Sequence, residues 1–143
     1  MIVTFCGHRE VEQTEAVRAW LTRCVETLIQ EGATEFYLGG YGAFDAMAAS
    51  VVWQLKEKYP EICSVLVLPY PDRQTDASRY DLTTYPPLEH VPRRFAILRR
   101  NEWMVRAADV VVAYVRYGYG GAAKTLEYAQ KRKKRVILYH PPA

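Results

Sequence analysis

Short apolar runs alternate with helix-periodic stretches along this whole chain, and few architectures satisfy that pattern. Ile2 to Phe5 is a β-branched and aromatic run that ends at Gly7, and Val11, Val17, Trp20, Leu21, Cys24, Val25 and Leu28 then recur at helical spacing. Gly32 stops that helix, Glu35 to Leu38 reads as a second strand, and Ala43 to Tyr59 as a second helix before Pro60. Ser64 to Leu68 is apolar without alternation, as expected of a strand covered by helices on both faces. Arg93 to Ala107 and Gly120 to Lys131 read as helices, and Asp109 to Tyr114 and Arg135 to Leu138 as strands.

Strands separated by helices imply crossover connections and a parallel sheet, because a tight turn can only return a chain antiparallel. The expectation is an α/β three-layer domain with five mainly parallel strands in the order 3-2-1-4-5. Its ligand crevice should lie beyond the carboxyl ends of the strands, where the strand order reverses. That places Cys6 to Arg9, Gly39 to Asp45 and Tyr114 to Gly121 around one site.

With 143 residues, half of them hydrophobic, one domain spanning 1–143 can bury a real core. No apolar run approaches the ~20 residues of a membrane span, and the amino terminus lacks the features of a secretory signal. A cytoplasmic, membrane-free protein is expected. Cys6, Cys24 and Cys63 are odd in number and widely separated, so they suggest neither disulfides nor a zinc site, and neither a metal nor a cofactor is called for. The net charge of +3 carries only a mild preference for anions.

Two glycine-rich turns carry the functional argument. Gly39-Gly40-Tyr41-Gly42 follows a strand and opens a helix, so its backbone can approach a ligand and aim helical N–H groups at an anion. Gly118-Tyr119-Gly120-Gly121 repeats the arrangement before a helix that contains Thr125. Neither is a P-loop or a full dinucleotide fingerprint. Pro69 to Pro92 is long and aperiodic, a candidate lid.

Among the remaining side chains, His8 and Arg9 follow the first strand and offer a titratable donor and a fixed positive charge for phosphate. Asp45 suits a ribose hydroxyl, or simply the positive end of its helix. Tyr41, Phe44, Tyr70, Tyr117 and Tyr119 are available for stacking on a base, with core packing the plainer role for Phe44. Trp20, Trp53 and Trp103 occupy apolar helical positions, in the core or at a dimer interface. The basic run Lys131 to Arg135 ends a helix, where cations favour the dipole; a nucleic-acid patch is the weaker alternative.

Thr4 to Arg9, Gly39 to Asp45, and the stretch from Arg100-Asn101-Glu102 through Val110-Val111-Val112 to Gly120-Gly121-Ala122 and Thr125 together resemble the SLOG superfamily. This Rossmann-like group joins the Lonely guy and DNA-processing protein A proteins, and the likeness is greatest to small bacterial and phage members of unassigned activity. The resemblance implies a nucleotide-derived ligand, such as a nucleoside phosphate, an ADP-ribose derivative or a cyclic nucleotide, held by a sensor or sequestering module. It also implies a homo-dimer or higher homo-oligomer, and it places Gly7, Arg100 and Asn101 in the pocket.

Lonely guy proteins hydrolyse the N-glycosidic bond of nucleoside monophosphates with a Pro-Gly-Gly-x-Gly-Thr-x-x-Glu turn. Against the first glycine turn, Leu38 stands for the Pro, Ala43 for the Thr and Ala46 for the Glu, with Asp45 one position early as the candidate catalytic carboxylate. N-glycosidic hydrolysis is thus an alternative to binding. DNA binding is a second alternative, and nucleic acid is the less expected partner.

Overall fold

A computed structural model describes residues 1–71 and 76–141. Eleven elements follow one another: β1 (Ile2–Gly7), α1 (Thr14–Gln30), β2 (Glu35–Leu38), α2 (Ala43–Leu55), β3 (Cys63–Val67), β4 (Leu82–Thr84), a 3-10 turn (Arg93–Phe95), α3 (Ala96–Ala107), β5 (Val110–Tyr114), α4 (Gly121–Lys131) and β6 (Arg135–Leu138). All strand pairings are parallel, and the sheet runs β4-β3-β2-β1-β5-β6.

The sheet therefore has six strands where five were expected, and its order differs from 3-2-1-4-5 accordingly. The added strand, β4, lies at the edge beyond β3 and inside the stretch read as a loop. Three residues are too few to show a period. They are captured by long-range bonds instead: Asp81 Oδ2 accepts from the Ser64 amide at 2.8 Å and from Lys56 Nζ at 2.9 Å, and the Leu68 amide donates to Thr84 O at 2.8 Å. Of the candidate lid, residues 72–75 lie outside the described residues. The helix expected from Arg93 begins instead as a 3-10 turn.

β5 explains why its strand reads as unbroken apolar sequence. Val110, Val112 and Tyr114 join the core shared with α1 and α2, whereas Val111 and Ala113 join Val105 of α3 and Ala129 of α4 on the other face. Because successive strand side chains point to opposite faces, both sets must be apolar when both faces are covered. The same rule puts Val3 and Phe5 of β1 in the first core and Cys6 in the second. Trp20 packs edge-on to Tyr139 at 5.1 Å and Trp103 stacks on Tyr37 at 5.7 Å, while Trp53 remains partly exposed. Among the described residues, no helix is long and apolar enough to cross a membrane.

Candidate functional site

A cavity of about 760 Å³ opens beyond the carboxyl ends of β1, β2 and β5. Gly7, His8 and Arg9 line it from the end of β1, and Tyr41, Gly42 and Asp45 from the turn into α2. Arg100 and Asn101 enter from α3, and Tyr117, Gly120, Gly121 and Thr125 from the turn into α4. The strand order reverses at β1, whose neighbours are β2 and β5, so the fold itself brings these segments together. Gly39, Gly40 and Tyr70 do not line the cavity. Tyr70 lies instead under the Arg93 guanidinium, at 4.0 Å.

The two glycine turns differ in what their amides do. At the first, the Ala43 amide donates to Arg9 O at 2.9 Å and the Phe44 amide to His8 O at 3.4 Å. Gly42 adopts φ +93, and a Cβ there would stand 2.9 Å from Arg9 Cα, so glycine is what lets the segment after β1 lie against this turn. Two of the leading N–H groups of α2 therefore already serve main-chain acceptors.

The second turn is open. Gly120 adopts φ +90 as the residue before α4, and added Cβ atoms at Gly118, Gly120 or Gly121 would meet nothing within 4 Å. Among the described residues the N–H groups of Gly121, Ala122 and Ala123 have no protein acceptor, as the first turn of a helix leaves them. Positive dipole and bare amides coincide at α4. The Thr125 hydroxyl donates back to Gly121 O at 2.9 Å.

Arg100 is the cation of the site's inner wall. It is only 1% exposed, and its Nη1 donates to Gly39 O at 2.8 Å and to Val67 O at 2.7 Å, while Nε donates to Asn101 Oδ1 at 2.8 Å. These bonds tie α3 to the carboxyl ends of β2 and β3. Gly39 acts from behind the wall: a Cβ there would stand 3.1 Å from both Arg100 Cζ and Asp45 Oδ2. A guanidinium and a carboxylate thus both crowd the place where a side chain at this position would begin. Asp45 Oδ2 also accepts the Tyr41 amide at 3.1 Å, which fixes the carboxylate at the foot of α2.

Cys6 faces the same cavity. Burial, reinforced by the charge of Asp45, pushes its thiol up to about 12, which leaves it protonated and unreactive.

His8 closes the other side. Its Nε2 accepts the Arg116 amide at 2.8 Å, so in the neutral ring the proton sits on Nδ1. Burial, and then the nearby Arg116 charge, lower its pKa below the usual 6.5. The ring stacks on Tyr117 with centroids 3.9 Å apart, and Tyr117 stacks on Tyr119 at 4.4 Å. Arg9 is exposed and sits 5.0 Å over the Tyr41 ring. Gly7 serves packing, since a Cβ there would come within 2.3 Å of the Phe44 ring.

The cavity also includes Phe5, Glu10, Ile97 and Ala122, which sequence reasoning did not single out. Ile97 was findable, being three and four residues before Arg100 and Asn101 on one helix face. Glu10 gives no such signal. The basic run is engaged locally: Lys131 pairs with Glu127 at 2.9 Å, Arg135 with Glu31 at 3.0 Å, and Lys134 Nζ donates to Arg106 O at 3.1 Å.

No protein-family model matches the chain, and no curated protein matches it by sequence. Solved structures do resemble it. DNA processing protein A from Helicobacter pylori, described for its single-stranded DNA binding mode, gives a TM-score of 0.71 at 16% identity over 99% of this chain and 66% of that one. The Streptococcus pneumoniae DNA processing protein A gives 0.65 at 18% identity, over 98% of this chain and 50% of that one. The molybdenum cofactor carrier protein of Chlamydomonas reinhardtii gives 0.60 at 19% identity, over 96% and 75%. The chain has a Rossmann-like α/β fold. Both kinds of neighbour are SLOG-type versions of it, and the chain spans just under two thirds and half of the two DNA processing proteins.

Proposed function

We propose that this chain is a SLOG-type module that binds a nucleotide or nucleotide-derived ligand, and that residues 1–143 act as one such domain. The observation that carries the reading is the convergence of bare α4 amides and the buried Arg100 on one cavity. A phosphate at the α4 N-terminus meets backbone donors and the helix dipole together, and the ~300–1,000 Å³ range of small-molecule sites includes this cavity. The neighbours are said to handle single-stranded DNA and a molybdenum cofactor, which fits a fold that presents loops to a phosphorylated ligand.

Thermal denaturation with AMP, ADP, ADP-ribose and cyclic nucleotides at millimolar concentration tests the reading. Ligand at 100 times its dissociation constant should add ~2.7 kcal/mol of stability. A flat response to every one of these compounds overturns the assignment.

N-glycosidic hydrolysis is the second reading, favoured by Asp45 on the cavity wall. A carboxylate there would stabilise an oxocarbenium-like sugar or activate water. Release of free base from a nucleoside monophosphate, abolished in Asp45→Asn while binding persists, is its expected signature. DNA binding has less behind it, because much of the basic run at 131–135 is already paired within the chain. A gel shift at low salt that weakens steeply as salt rises would restore that reading.

A further inference from the structure

His8, Tyr117 and Tyr119 form a continuous stack whose exposure rises outward, from 6% at His8 to 45% at Tyr117 and 72% at Tyr119. The inner end is fixed. His8 is buried, its Nε2 holds the Arg116 amide, and Tyr114 meets its ring edge-on at 5.8 Å. Tyr117 has one face on His8 at an interplanar angle of 5° and the other toward Tyr119. Among the described residues Tyr119 is stacked on Tyr117 alone, and it lines the cavity.

An aromatic ring left this exposed, on a glycine-flanked turn, contributes little to the fold. Its placement is better matched to recognition, since aromatic faces pair with heteroaromatic rings of any sequence. The next residue, Gly120, opens the helix whose first amides are bare. One turn therefore offers an anion site and a ring face side by side.

We infer that Tyr119 is the base-selecting residue of this site, and that a purine ring adds a fourth layer to the His8–Tyr117–Tyr119 stack while the phosphate sits at the α4 N-terminus. The inference rests on the nucleotide reading above and narrows it to purine nucleotides. Purines are preferred over pyrimidines because their larger ring system covers more of the phenol face. Tyr117 and His8 act as positioning residues: they hold Tyr119 at a fixed distance from the bare amides and do not touch the base.

Calorimetric titration with AMP, UMP and ribose 5-phosphate tests the assignment in the wild type, Tyr119→Ala, Tyr119→Leu and Tyr119→Phe. Removal of the ring should weaken AMP by about tenfold to hundredfold, the range for one base–aromatic stack. Ribose 5-phosphate should be unchanged by every substitution. Tyr119→Phe should bind AMP like the wild type and Tyr119→Leu should not, which separates the aromatic face from mere apolar bulk. AMP should bind more tightly than UMP. Equal AMP affinity in the wild type and Tyr119→Ala overturns the stacking role, and so does an equal loss for AMP and ribose 5-phosphate, while the nucleotide reading survives either result. If the wild type binds none of the three, both fall together.

Discussion

Arg100 and Gly39, on α3 and at the end of β2, are joined by a hydrogen bond of 2.8 Å from the guanidinium to the Gly39 carbonyl. The guanidinium uses the same nitrogen to reach Val67 O at 2.7 Å, so one buried cation holds two strand ends. Replacing it removes a charge from the cavity and strands two carbonyls. Arg100→Met should destabilise the fold by ~1–3 kcal/mol for each carbonyl left without a donor, read by urea denaturation. Arg100→Lys should recover only part of this, because a single ammonium lacks the planar fork. Wild-type stability in Arg100→Met would show that the cation is there for ligand alone.

Gly7→Ala should be costly although alanine is small. Its Cβ would fall 2.3 Å from Phe44 Cγ and Cδ2 and 2.6 Å from its Cβ, and Phe44 is fully buried in the core. Overpacking of this kind costs ~1–3 kcal/mol, and Phe44→Ala, which removes Cγ and the ring and leaves only Cβ, should relieve part of it. A double-mutant cycle measures that relief as a coupling energy. Additive effects would mean that the ring moves aside freely.

His8 makes stability depend on pH. Its folded pKa lies below the ordinary 6.5, so between the lowered value and 6.5 the unfolded chain binds the extra proton. The contribution of neutral His8 is complete above pH 6.5 and is lost as pH falls through the folded pKa. Protonated Nε2 can no longer accept the Arg116 amide, so the turn carrying Tyr117 and Tyr119 should loosen in the same window. His8→Gln should flatten this part of the stability–pH curve in parallel denaturation series. An unchanged curve would remove His8 as its source.

Cys6 should resist alkylation. With its thiol pushed up to about 12, almost no thiolate exists near pH 8, and the residue is buried. Iodoacetamide followed by peptide mass analysis should label Cys6 only after denaturant is added. Rapid labelling of the native protein would show that the cavity wall opens there.

The strand–helix alternation was legible because periodicity is local: a strand needs only a few neighbouring apolar residues and a helix only its own repeat. Gly42 and Gly120 were legible as turn residues for a related reason, and both adopt positive φ. Arg100 and Asn101 were expected in the pocket from a family resemblance, and they line it. β4 was missed because Leu82–Thr84 is held by Asp81 and Ser64 contacts that no short window contains. Nothing in Gly39 to Gly42 announces that Arg9 O and His8 O will occupy the amides that follow, because those acceptors come from a distant segment.

The sequence by itself determined the five longer strands and the four helices, and that glycine turns stand at one edge of a parallel sheet. Tertiary structure decided which of those turns keeps its amides bare, which ring is left with an open face, and which carboxylate rests beside a buried guanidinium. Hydrophobic period and turn chemistry act between neighbours in the chain. Hydrogen-bond occupancy and stacking depend on groups from distant segments, and only the folded chain brings those within reach.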